Sequence, residues 1–269
     1  MKNQVRCLSG AADEIGFHVG VIDRNFNEKF TAEHGISSGA LVQFVKMCGY
    51  WNDAINLVLS FNPKEHIFGY KPLGPRGIAI AIKSILQRKY GLWSYNKLEG
   101  TLRSITSKTK FDSYTGCPVW VGITDINSKY TNVRIDTLSY EEALEKVIQS
   151  SSVQILVNTL KGKGDGGLVN HIGSEFMAEY YPQCDVVSVF ARTEKVCLKQ
   201  PRISLKSIGW LIKNFLYLTS RNNETETDKI CDKNGTNHIK IFMKKDVIEG
   251  MFTIKPEDNL ELYEMGLSV

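Results

Sequence analysis

Gly35-Ile36-Ser37-Ser38-Gly39 lies between two stretches of different pattern, and those two stretches decide the fold. Upstream, Lys29-Phe30-Thr31-Ala32-Glu33-His34 is short and suited to extended backbone. Downstream, Leu41, Phe44, Val45 and Cys48 recur at i, i+3, i+4 and i+7, the spacing of one helix face. A Gly-x-Ser-x-Gly between a strand and a helix is a nucleophile elbow: small flanking residues allow a sharp turn that exposes the serine Oγ. The helix then begins at Ser37–Ser38, where N–H groups and the positive dipole end favour developing negative charge. The same five residues also suit a serine that merely caps a helix, so a second feature has to separate the two.

Asp165 is that feature. It belongs to the one Asp-Gly of the chain and sits in the glycine-rich loop Gly162-Lys163-Gly164-Asp165-Gly166-Gly167. A serine hydroxyl is a weak nucleophile until a base takes its proton, and this loop can present a carboxylate to it. Further upstream, Gln4-Val5-Arg6-Cys7-Leu8 is patterned as a first strand. It runs into Ser9-Gly10-Ala11-Ala12 and then a helical segment with Phe17, His18, Val19, Val21 and Ile22. A turn of small residues between strand and helix supplies backbone N–H groups for an oxyanion hole. The chain order is oxyanion loop, nucleophile elbow, base loop.

With those pieces in place the chain resembles the patatin-like phospholipases. The pieces are Ser9-Gly10-Ala11-Ala12-Asp13-Glu14, His18-Val19-Gly20-Val21, Gly35-Ile36-Ser37-Ser38-Gly39-Ala40-Leu41 and Asp165-Gly166-Gly167-Leu168-Val169-Asn170. Val119–Asp125 is similar to the family's central strand, and Glu141–Ser152 to its helix and small-residue segment before the base loop. The resemblance spans residues 4 to about 191 and is specific at the serine and aspartate motifs. It implies an α/β, three-layer fold: a mostly parallel central sheet with helices on both faces. It also implies a Ser37–Asp165 catalytic dyad forming an acyl-serine, with oxyanion N–H groups from Gly10, Ala11, Ala12 and Ser38. Three positions depart from the family pattern. Ala11 and Ala12 replace usual glycines and adopt positive φ less readily, Glu14 stands where a basic residue is usual, and Gly173 replaces a common proline.

Composition and pattern set the remaining expectations. With 269 residues, 42% of them hydrophobic, the chain is long enough for one large domain or two small ones. Without a Pro-, Gly- or Ser-rich linker the expectation is a single domain over 1–269. Its core runs from about 4 to 200, and 201–269 add a helix and a hairpin at Ile239–Lys255. Ser139-Tyr140-Glu141-Glu142 reads as a capping box, Val153–Val157 as the strand delivering Asp165, Asp185–Ala191 as another strand, and Arg221–Asn237 as a polar loop. Six scattered cysteines without a Cys-x-x-Cys argue against a zinc site or disulfide framework. Met1–Arg6 lacks the apolar core of a signal peptide, and no apolar run reaches the roughly 20 residues of a spanning helix. A net charge of +4 gives no ground for a nucleic-acid partner.

The histidines argue against a triad of the α/β-hydrolase kind, although His171, near the base loop, is placed for a supporting role. That fold needs a histidine after its acid, and only His171 and His238 follow Asp165. It also needs several strands before the nucleophile, while 36 residues hold about two strands and a helix. His18 and His34 are therefore assigned structural roles and His66 a solvated loop position. The expected function is lipid acyl-ester hydrolysis without cofactor or metal. The expected setting is cytoplasmic, peripheral at membranes, with Phe68, Tyr70 and Leu73 as the contacting loop. A catalytically silent lipid-binding scaffold and an acyltransferase use the same residues and stay open as alternatives.

Overall fold

A computed structural model describes the chain except residues 1–2, 11–13, 63, 72–73, 88–90, 94–96, 126, 128, 153–154, 158–161, 195–204, 246 and 248–253. Ala11 and Ala12 of the expected oxyanion loop, Leu73, and the start of the expected Val153–Val157 strand lie outside the described residues.

The chain opens with β1 (Gln4–Leu8), α1 (Ile15–Arg24), β2 (Ala32–Gly35), α2 (Ser38–Cys48) and α3 (Trp51–Leu59). After a short π-helical turn at Lys64–Phe68 come α4 (Pro75–Leu86), β3 (Gly91–Trp93), α5 (Leu98–Ile105) and α6 (Lys108–Asp112). The middle of the chain contributes β4 (Val119–Asp125), β5 (Tyr130–Arg134), α7 (Tyr140–Ser150), β6 (Ile155–Val157) and β7 (Lys163–Asp165). It ends in α8 (Ser174–Tyr180), β8 (Asp185–Thr193), α9 (Leu205–Asn234), β9 (His238–Met243) and α10 (Pro256–Leu267).

The main sheet runs in the order β5-β4-β2-β1-β8-β9, with β7 also paired to β4. The pairings β1–β2, β1–β8, β2–β4 and β8–β9 are parallel, and β5 and β7 meet β4 antiparallel. The fold is thus α/β with a mostly parallel sheet. Alternation along the strands splits the core between its two faces. Val5 and Cys7 of β1 and Val186 and Phe190 of β8 pack with Met177 and Ala178 of α8. Leu8, Val189 and Ala191 point the other way, into a cluster with Phe17 and Ile22 of α1 and Leu262 of α10. On β4, Val119, Val121 and Ile123 join Phe44 of α2 and Leu144 of α7. Strands buried on both faces explain the near-continuous apolar runs.

An ion-pair cluster ties the two strands leading to the elbow. Arg6 of β1 pairs with Glu33 of β2, and Lys46 of α2 reaches the same carboxylate at 2.9 Å. Burial opposes ionisation of Glu33, but the two cations together hold its carboxyl below the usual range. The capping box forms: the Ser139 Oγ accepts from the Glu142 N–H, and the Glu142 carboxylate accepts from the Ser139 N–H.

Four local expectations differ. Residues 155–157 pair with β3 in a separate two-stranded sheet, and β7 is what carries Asp165. The Arg221–Asn237 loop is largely helix, because α9 continues to Asn234. Its buried stripe there is polar (Ser220, Asn223, Glu224 and Thr227), so hydropathy gives no helical signal. The first limb of the expected hairpin is the edge strand β9, parallel to β8, and α10 takes the place of a second limb from Pro256 on. Phe68 and Tyr70 are buried, 0% and 5% exposed, so this loop offers no aromatic contact surface.

Candidate functional site

Ser37 occupies the turn between β2 and α2 with φ 55° and ψ −121°, and it is the one non-glycine residue with positive φ among those described. Such backbone costs on the order of 1–3 kcal/mol and persists where the surroundings hold it. The holding contacts are specific. The Ser37 N–H donates to Ser150 Oγ at 3.0 Å, and that hydroxyl donates to the Gly122 carbonyl at 2.7 Å. The Ser151 hydroxyl donates to the Ser37 carbonyl at 3.2 Å. The Ile36 N–H donates to the Leu8 carbonyl at 3.2 Å. The flanking glycines are steric requirements: a Cβ on Gly35 would stand 2.5 Å from the Gly39 carbonyl group, and one on Gly39 would stand 2.6 Å from the Leu8 carbonyl oxygen.

Asp165 ends β7, opposite Ile123 of β4. Its carboxylate accepts a hydrogen bond from the Ser37 side chain and another, at 2.7 Å, from the Gly167 N–H. The two glycines that follow serve different ends. A Cβ on Gly166 would press to 2.6 Å from the Gly122 carbonyl oxygen, and Gly167 supplies the donor to the carboxylate. Ser37 and Asp165 are both buried, 8% and 4% exposed. Burial pushes the Asp165 carboxyl up to about 6, and the bonds from Ser37 and Gly167 oppose it. A carboxyl with that value is ionised at neutral pH and retains affinity for a proton.

The Gly10 N–H, expected among the oxyanion donors, donates instead to the His171 carbonyl at 3.0 Å. Gly10 nonetheless lies beside Ser37, since a Cβ on it would be 3.5 Å from Ser37 Cβ and 3.4 Å from His171 Cε1. Ser38 is the first residue of α2, so the helix N-terminus begins immediately after Ser37.

None of the histidines bridges Ser37 and Asp165. The His171 ring is buried beside Gly10 and Gly167, its Nδ1 has no hydrogen-bond partner, and burial first, then Arg192, lowers it to about 3. It stays neutral. His238 is engaged by Asp228 at 2.7 Å and Ser188 at 2.8 Å. His18 contacts Ser9 Oγ at 3.5 Å, and His34 meets Asn132 Oδ1 at 2.8 Å. His66 is half-buried, bonded to Asn62 and stacked on Phe61, rather than solvated.

Two site features escape inspection of motifs. Ser150 and Ser151 bracket the elbow backbone from more than a hundred residues away in sequence; the only trace they leave is a small polar run closing an amphipathic helix. Gly173 is more than a flexible stand-in for proline. Its φ of +69° is closed to proline, whose ring fixes φ near −65°, and a Cβ there would collide with the His34 ring.

No family model matches the chain, and no curated protein matches it in sequence. Among solved structures, VipD from Legionella pneumophila is similar in fold, with a TM-score of 0.50 and 13% identity. The match covers 99% of this chain and 65% of VipD, so this chain spans a little under two thirds of that protein's length. At this identity the likeness concerns the fold alone.

Proposed function

We propose that the protein is a serine acyl hydrolase of the patatin-like kind, cleaving fatty-acyl esters of phospholipids or related lipids. One observation carries the proposal: a serine on a positive-φ turn, its hydroxyl bonded directly to a buried carboxylate raised to about 6. Ser37 Oγ attacks the ester carbonyl carbon as its proton passes to Asp165. The tetrahedral oxyanion is assigned to backbone N–H groups, those of Ser38 at the start of α2 and of Ala11 and Ala12. Collapse breaks the ester bond, and the proton on Asp165 goes to the departing alkoxide. Water then gives its proton to Asp165, its oxygen attacks the acyl-serine, and the fatty acid leaves as Ser37 recovers its proton.

A second reading rests on the Gly10 N–H. With that donor turned to the His171 carbonyl, the oxyanion hole has fewer candidates and a lipid-binding scaffold becomes the competing role. Fatty-acid release from phospholipid in detergent micelles, compared among wild type, Ser37→Ala and Asp165→Asn, decides between them. The hydrolase reading expects turnover by wild type and none by either variant. A wild type as inert as Ser37→Ala favours the scaffold.

A further inference from the structure

Four of the twelve exposed large apolar side chains among the described residues fall within nine consecutive positions of α4. Ile78, Ile82, Ile85 and Leu86 are 49%, 53%, 62% and 78% exposed. Their spacing draws one stripe about 100° wide along the helix. The seated face holds Gly77 and Ser84, which are buried, with Ile80 and Ala81 half-buried beside them. The helix thus turns four of its five large apolar side chains outward, against what burial favours, and keeps only Ile80 half-buried. Isolated exposed hydrophobes are ordinary, but a contiguous stripe marks an interaction surface.

Charge identifies the surface it fits. Between His66 and Leu98 the chain carries Lys71, Arg76, Lys83, Arg88, Lys89 and Lys97 and neither Asp nor Glu. The whole positive excess of the protein resides in this segment, for the other residues are net negative by two. Arg76 and Lys83, both exposed and seven residues apart, border the stripe on one side. An aliphatic stripe with a cationic border suits a helix lying in the plane of an anionic bilayer.

We propose that α4 docks the protein on an anionic lipid surface, with Ile78, Ile82, Ile85 and Leu86 in the acyl boundary and Arg76 and Lys83 on headgroup phosphates. The proposal stands on α4 alone; it supplies the lipid-ester reading of Ser37 and Asp165 with a route to its substrate. Helix α4 packs on β3, and β3 pairs with β6 in the small two-stranded sheet.

The test is flotation of the full chain, as Ser37→Ala so that the lipid is not consumed. One set of vesicles is pure phosphatidylcholine and the other contains phosphatidylserine. The expected result is binding to phosphatidylserine vesicles that weakens with added salt. Ile82→Glu with Ile85→Glu should lower it at least tenfold, and Arg76→Gln or Lys83→Gln about fivefold each. Leu218→Glu, at an exposed apolar position on α9, should leave it unchanged. Because Arg76→Gln and Lys83→Gln alter only exposed ends, they carry the test if the paired glutamates disturb folding. No binding to either vesicle, or binding indifferent to the α4 variants, would overturn the proposal. So would light scattering that shows a dimer which the α4 variants dissociate. A protein that binds vesicles yet hydrolyses nothing leaves docking intact and removes the hydrolase reading. One that hydrolyses a soluble ester and binds no vesicle does the opposite.

Discussion

Asp165 carries a carboxyl that burial raises to about 6, although Ser37 and the Gly167 N–H both favour its ionised form. Two predictions follow from that balance, one on rate and one on stability. Since Asp165 must be ionised to take the Ser37 proton, the rate should rise with pH along a limb centred near 6. A flat profile between about pH 5 and about pH 8 would remove Asp165 as the base. For stability, the folded value lies above the ordinary 3.8, so the contribution is full below about pH 4 and is lost as pH rises through about 6. A shift of about two units corresponds to on the order of 3 kcal/mol. Asp165→Asn should therefore be inactive yet gain thermal stability over wild type at about pH 8, with the gain shrinking toward about pH 4. A variant that loses stability at both pH values would show the carboxylate to be a structural anchor. At this scale the sequence was most readable: Gly35, Gly39, Gly166 and Gly167 each have a steric or bonding reason that the motif already encodes. The neutral state of His171 was not readable, because it comes from burial and from Arg192 rather than from neighbours in sequence.

The elbow depends on an element remote from it. The end of α7 places Ser150 so that one hydroxyl joins the Ser37 N–H to the Gly122 carbonyl. Ser150→Ala leaves both groups buried without that partner, and each such loss costs roughly 1–3 kcal/mol. The expected outcome is a thermal midpoint lowered by several degrees and a kcat lowered with KM little changed, because the turn loosens while lipid contacts remain. An unchanged kcat would mean that Ser37 holds its positive φ without α7. Elements with apolar periodicity were legible from sequence, as α2 and β1 show. Those that bury polar residues were not. The second half of α9 buries Ser220, Asn223, Glu224 and Thr227, and each has a partner: Ser220 and Glu224 bond Arg192, Asn223 accepts from the His171 N–H, and Thr227 bonds Ser174. For α4, sequence periodicity is the same whether an apolar stripe faces the core or solvent, so its outward orientation was not readable.

Across the molecule, the chain's two ends support one another. Gly20 of α1 and Gly266 of α10 meet where a side chain on either would strike the other helix's backbone. Helix α10 thus backs the helix that follows the Ser9–Gly10 turn. Gly266→Val should push the helices apart and cost at least the roughly 1–3 kcal/mol of an overpacked core, read as a lower urea midpoint. An unaltered midpoint would mean that the α1–α10 contact contributes little. The α/β class and the mostly parallel sheet follow from patterns visible along the chain, whereas the strand order and the parallel docking of β9 on β8 rest on pairing that no local pattern specifies. All of this scaffolding converges on a single claim, that Ser37 is a nucleophile activated by Asp165. A fluorophosphonate probe followed by peptide mapping tests it most directly. Wild type should be labelled at Ser37, with labelling lost in Ser37→Ala and strongly reduced in Asp165→Asn. Labelling at Ser38, or equal labelling in Asp165→Asn, would contradict it.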